Sequence, residues 1–250
     1  MSYEIWQWAL FATAALIIGM SKCGIPGIGI LNVALFQNAL LAKDATGFGL
    51  PVLIIGDICA VIAYRKHAQW VQVWRLFPWT VAGVFLGYAA LKWLDNQQAR
   101  ILIGLLLAGM VVMHFMRSRS LKKIEIAAQA SHSFTIAAGI LAGFISMVAN
   151  AAGPVMIIYL LSMRLPKMEF MGVSVYFFML LNVFKVPFLA HLDLITLGSF
   201  AANLKLVPFV VVGGFIGYYF AKKVSQLWFE RTAFWLTVVA VGRMLWTAFY

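Results

Sequence analysis

Few residues in this sequence can do chemistry, and those that can stand in apolar surroundings. Lys22, Asp57, Asn182, Lys185 and Lys205 each interrupt long runs of aliphatic and aromatic residues, and Arg75 lies just before one. An ionisable group at membrane depth is costly and is a functional candidate unless it can reach the interface. Lys22 sits inside Gly19-Met20-Ser21-Lys22-Cys23-Gly24-Ile25-Pro26-Gly27-Ile28-Gly29, and a second break of this kind runs from Gly143 to Pro154 through Ser146, Asn150 and Gly153. Glycine costs a helix roughly 1 kcal/mol and proline roughly 3, so neither stretch continues a regular helix. A helix that restarts at Pro26 or Pro154 presents unpaired N–H groups and the positive end of its dipole, which together attract anions. The chemistry suggested is therefore capture of a small anion. Gly24, Gly27, Gly29, Ser146, Asn150 and Gly153 would let it approach the backbone, and Lys22, Lys185 and Lys205 would supply positive charge. Asp57, Asn182 and Arg75 are candidates for coupling or ion pairing.

Other chemistries find less support. His67, His114, His132 and His191 fall at loops or span ends without metal-ligand spacing, and no HExxH, GxSG or GxGD pattern occurs. The residues point to no enzyme, no cofactor and no metal. Cys23 and Cys59 both lie in apolar stretches and read as buried thiols.

The elements that must position these residues are membrane helices. Of 250 residues, 64% are hydrophobic and only 11% charged, against about 25% charged in an ordinary soluble domain. The mean hydropathy is +0.93. The apolar runs are long and lack the alternation of barrel strands. The net charge of +11 comes from short Lys/Arg clusters between apolar runs, which is the pattern of membrane loops and not of a nucleic-acid surface. Glu4 stands where a signal peptide would be basic, so the N-terminus is expected to remain uncleaved.

The chain is an internal repeat. Gly19 maps to Gly143 and Gly29 to Gly153 at an offset of 124, while the block around Pro78, Gly83 and Gly87 matches that around Pro208, Gly213 and Gly217 at an offset of 130. Each half reads as a broken segment (about 6–41 and 134–164) followed by three spans, at about 45–64, 71–94 and 97–116, then 168–190, 196–222 and 227–249. The units are residues 1–116 and 134–250, joined by a basic linker at 117–133. If each broken segment crosses once, basic residues divide between the faces without bias. If each turns back, Arg65, Lys66, Arg117, Arg119, Lys122, Lys123, Arg164, Lys167, Lys222, Lys223 and Arg231 share one face and only Lys43, Lys92 and Arg100 lie opposite. The second arrangement obeys the positive-inside rule. The expected fold is thus an all-α polytopic membrane protein of two inverted repeats, each a broken, re-entrant-like helical hairpin plus three transmembrane helices. The basic loops would be cytoplasmic and both termini outside. Paired breaks of this kind mark the binding site in transporters built from repeats.

These features resemble the sulfite exporter TauE/SafE family. The resemblance rests on the two broken segments, on Pro51 with Asp57 downstream, on Tyr64-Arg65, and on Asn182 with Lys185. It implies a bacterial cytoplasmic (inner) membrane protein exporting small sulfur-containing anions such as sulfite or organosulfonates. The implied partners are the small anionic substrate and the lipid bilayer, with a coupling ion (H+ or Na+) and a homodimer both compatible and no nucleic acid. A membrane scaffold or an anion channel is the alternative.

The charge split gives a direct prediction. Single cysteines near Ser120 and Lys167 are expected to resist an impermeant thiol reagent applied from outside, while one near Asp95 is labelled. Labelling of Lys167 and Asp95 positions from the same side would rule out the turned-back arrangement.

Overall fold

A computed structural model describes residues 3–95, 132–163 and 165–225, together with single positions at 97, 98, 101, 102, 105, 228 and 235. These residues are helical and contain no strand. The elements are α1 (Ile5–Cys23), α2 (Ile30–Ala39), α3 (Ala42–Tyr64) with a 3-10 turn at Arg65–His67, α4 (Trp70–Trp93), α5 (His132–Ala149), α6 (Gly153–Ser162), α7 (Lys167–His191), α8 (Leu197–Leu204) and α9 (Val207–Lys223). The predicted spans 97–116 and 227–249 and the linker fall almost wholly outside the described residues, as do Arg100, His114, Arg117, Arg119, Ser120, Lys122, Lys123, Arg164 and Arg231. Four described helices are long and apolar enough to cross a membrane: α1, α3 with its turn, α5 and α7. The bent pair α8–α9 makes a fifth if it is one span. α4 has the required length, but its Trp and Tyr residues, Arg75 and Lys92 dilute its apolarity.

Both breaks are present, and at each the chain doubles back. Gln7 Nε2, in the first turns of α1, donates to the carbonyl of Ala39 at the end of α2 over 2.9 Å. Phe11 packs against Phe36 with ring centroids 5.9 Å apart. In the second segment Phe134 of α5 stacks on Tyr159 of α6, 6.1 Å between centroids. The local causes are visible. Gly27 has φ 100°, a conformation open to glycine, and Asn150 ends α5 at φ 54°, where Asn is among the best tolerated residues. Pro154 occupies the first turn of α6, where its missing N–H costs nothing. The arms are unequal: α1 has 19 residues and α2 has 10, about 28 and 15 Å at about 1.5 Å per residue.

Most of the remaining glycines serve helix packing. α9 lies on α1 and α4 lies on α5 so closely that a Cβ added at Gly19, Gly213, Gly83 or Gly143 would sit 2.0–2.1 Å from a carbonyl oxygen of Val210, Leu16, Ile140 or Thr80 respectively. Leu16 and Ile140 are 124 apart, and Thr80 and Val210 are 130 apart, so the contacts repeat at the same offsets as the sequence. Each half lends its Pro-Gly helix to the broken segment of the other. Gaps of this size admit glycine alone, which lets backbones meet. Between these pairs, α3 and α7 pack with opposite directions: Gly47 near the start of α3 meets Leu194 beyond the end of α7, and Gly172 near the start of α7 meets His67 beyond the end of α3.

The span expected at 196–222 departs from a single rod. α8 and α9 meet at a bend of 50°. Pro208, in the first turn of α9, cannot donate to the turn before it, and Asn203 is drawn to α3, donating to the carbonyl of Phe48 at 3.0 Å. The equivalent Pro78 sits inside unbroken α4, and at the position of Asn203 (203 − 130 = 73) α4 carries Val73, which has no such tether.

This packing separates two kinds of glycine experimentally. At Gly24 an added Cβ would lie 1.7 Å from the carbonyl oxygen of Gly217, whereas at Gly153 it would meet nothing within 4 Å. Gly24→Ala and Gly143→Ala are each expected to destabilise the fold by about 1–3 kcal/mol, the usual cost of overpacking. Gly153→Ala is expected to leave thermal unfolding in detergent unchanged. Equal melting of all three would contradict the packing role.

Candidate functional site

The two breaks line one cavity. Its wall is built by Ser21, Lys22, Pro26, Gly27, Gly29 and Asn32 from the first broken segment and by Ser146, Asn150, Ala151, Gly153 and Pro154 from the second. Ser174, Phe178 and Asn182 of α7 close it. The space is about 70 Å³; a single water needs about 10–15 Å³ on that measure. Several waters fit, or an anion of a few heavy atoms. The cavity wall carries three hydroxyls, three amide side chains and one ammonium, and no carboxylate among the described residues.

The charged groups stand in and just behind this wall. Lys22 Nζ is 2.7 Å from Asp57 Oδ1 and 4.2 Å from the centroid of the Phe178 ring. Asn182 Nδ2 donates to the other carboxylate oxygen of Asp57 at 2.6 Å. Asp57 is fully buried while the Lys22 side chain is 12% exposed, so the lysine is the accessible end of the pair. Lys185, also fully buried, donates to Ser146 O at 3.0 Å, Ser146 Oγ at 2.8 Å and Asn150 Oδ1 at 2.7 Å. Three acceptors match the three donors of an ammonium. With both lysines charged, two cations face one carboxylate, and the site carries one net positive charge in a setting where Coulomb interactions are strong.

Hydrogen bonds hold the second tip in place. The Asn150 amide spans the gap between Lys185 and α3, its Nδ2 donating to Thr46 O at 2.8 Å, and the Thr46 hydroxyl donates to Val148 O at 2.9 Å. At the first tip the Tyr64 hydroxyl donates to Cys23 O at 2.6 Å. One tip is thus tied to the start of α3 and the other to its end.

Of the residues expected from sequence, Lys22, Gly27, Gly29, Ser146, Asn150, Gly153 and Asn182 border the cavity. Asp57 and Lys185 stand behind it, each bonded to a residue of its wall. Three others are elsewhere. Gly24 is a packing glycine pressed against Gly217. Lys205 is exposed at the α8–α9 bend, its Nζ 5.4 Å from the Trp8 ring. Arg75 is exposed on α4. Ser21, Asn32, Ser174 and Phe178 were not anticipated. The spacing of Ser174, Phe178, Asn182 and Lys185 at four, four and three residues marks a single helix face, a signal present in the sequence.

Comparison with known proteins agrees with the resemblance. The family model described as sulfite exporter TauE/SafE matches residues 10–244 of the chain. No curated protein and no solved structure matches it.

The ion pair yields a stability prediction. Lys22→Ala leaves the Asp57 carboxylate buried with Asn182 alone, and is expected to cost about 3–5 kcal/mol, as when one partner of a buried pair is removed. The double variant Lys22→Met/Asp57→Leu is expected to regain most of that loss. Thermal unfolding of the purified variants checks both; a single variant as stable as the parent would show that the pair is not desolvated.

Proposed function

The chain belongs to the sulfite exporter TauE/SafE family, and on that premise we propose that it is a secondary transporter exporting small sulfur-containing anions, such as sulfite or organosulfonates, by alternating access. The observation that carries this reading is the cavity shared by the two breaks, bordered by hydroxyls, amides and Lys22 and backed by Lys185. An oxyanion there would accept hydrogen bonds from Ser21, Ser146, Ser174 and Asn182 and from the Gly153 and Val155 amides opening α6, which precede the first ladder bond from Met156 N–H to the Ala152 carbonyl. It would offset the surplus positive charge. It would also compete with Asp57 for Lys22, so occupancy would loosen the tie between α1 and α3. Coupling to H+ or Na+ would act through that exchange.

The proposed architecture is two inverted repeats, residues 1–116 and 134–250, in a bacterial cytoplasmic membrane with basic loops inside. Several contacts support it. α1 starts beside Phe48 through Tyr3, 5.6 Å between rings, and ends beside Tyr64, so it runs along α3. α5 ends beside Thr46, so it runs against α3. α3 and α7, the equivalent helices of the halves, oppose each other at Gly47 and Gly172. Helices equivalent in sequence thus have opposite directions, as an axis in the membrane plane requires. In this scheme the glycine-locked pairs α1–α9 and α4–α5 are the rigid bodies, and access alternates as one moves against the other.

A thermal-shift screen tests the reading, with purified protein against sulfite, sulfoacetate, taurine, sulfate, thiosulfate and simple carboxylates. A ligand at about 100 times its Kd stabilises by about 2.7 kcal/mol, so selective shifts by sulfur oxyanions are expected. Gly153→Leu, which fills the cavity, is expected to abolish the shift and transport. Lys205→Gln is expected to retain both. Indifference of the parent to every anion would sink the proposal, and normal transport by Gly153→Leu would move the site elsewhere.

A further inference from the structure

Beside the central cavity lies a second, much smaller one. It is lined by Asn32, Val33, Phe36, Gln37, Ala45, Thr46, Ala149 and Asn150, with a volume of about 10 Å³, the room of about one water. Asn32 and Asn150 border both cavities, so two amide side chains are all that the shared wall contributes in polar groups. Gln37 belongs to the last turns of α2 and Thr46 to the first turns of α3. The small cavity therefore lies toward the face on which α3 begins, away from Lys22 and Asp57. Its Gln37 Nε2 is buried without a hydrogen-bond partner among the described residues, and an unpaired buried donor is costly.

The second half has no equivalent. At the offset of 124, Asn32 becomes Met156 and Gln37 becomes Leu161, and at the offset of 125 that relates Gly47 to Gly172, Thr46 becomes Met171. The repeat has kept a polar series in one half and an apolar one in the other, at positions where the backbone plan is the same. Packing alone does not call for that difference, since Met and Leu serve the corresponding places.

We propose that the Gln37 cavity is a second station for the transported oxyanion, between the central site and the face on which α3 begins, gated by Asn32 and Asn150. The inference rests on the reading of the central cavity as the anion site. Passage needs intermediate sites that bind weakly enough to release. A neutral amide donor meets that need, where a second lysine would trap the anion. In the conformation described here the station is closed to anything larger than water. Asn150 ties it to the central site, because its amide also holds Lys185 and the start of α3.

The experiment compares the parent, Gln37→Met and Asn32→Met, the last placing in the first half the residue found at the matching position of the second. Each purified variant is checked for monodispersity, titrated with sulfite by thermal shift, and reconstituted in vesicles for sulfite flux. Gln37→Met is expected to slow flux by about tenfold, the scale of one lost hydrogen bond at a barrier, with the half-saturating sulfite concentration nearly unchanged. Gln37→Glu keeps the side-chain size and is expected to slow flux further by repelling the anion. Flux at the parental rate in all three variants would overturn the inference. So would loss of sulfite binding together with flux in Gln37→Met, which would put Gln37 in the central site. A parent that neither binds nor moves sulfite would instead defeat the functional reading on which the station depends.

Discussion

Burying Lys22, Asp57 and Lys185 together in an apolar bundle is the constraint that the rest of this structure answers. None of the three can be left unpaired without a penalty of several kcal/mol, and no single helix supplies the partners. Asp57 is met by Lys22 from the first broken segment and by Asn182 from α7. Lys185 is met by Ser146 and Asn150 from the second. Ser146 lies in the last turn of α5, where its carbonyl accepts both from the Asn150 N–H, 2.9 Å away, and from Lys185, and Asn150 follows at the break itself.

The glycine-packed pairs make those breaks affordable. A break exposes backbone groups that lipid cannot satisfy, and here each broken segment is covered by a helix from the other half of the chain. α9 on α1 and α4 on α5 approach closely enough that alanine would collide with carbonyl oxygens. The same exchange makes the halves interdependent, so neither is expected to hold its tip in position without the other.

Within that frame the cavity has an asymmetric character. Its two lysines come from different halves, yet Lys22 and Ser146 are the repeat equivalents of one another (22 + 124 = 146), so one half carries a lysine where the other carries the acceptor for a lysine. Asp57 and Asn182 show the same divergence at an offset of 125, and they are bonded to each other. Equivalent positions of the two halves thus carry a carboxylate and its neutral hydrogen-bond partner.

The sequence by itself determined the class of molecule, the places where helices break, the duplication and some of the residues around the cavity. Those properties are carried by composition, by helix-breaking residues and by offsets, all of which act locally or by simple correspondence along the chain. Observed helices α3, α4 and α7 differ from the expected spans by only a few residues at their ends, because long apolar runs leave little choice. Tertiary structure alone decided which cations lie at the cavity and what each glycine packs against. Lys205 and Lys185 look alike in sequence, both basic residues in apolar stretches. One faces outward at a 50° bend set by Pro208 and the Asn203 tether, and the other is buried against residues 35 and 39 positions away. Gly24 and Gly153 stand in matching breaks, yet one is filled by a neighbouring backbone and the other opens on space. A partner across the bundle, and the distance to it, depend on how helices pack, and no local pattern records that.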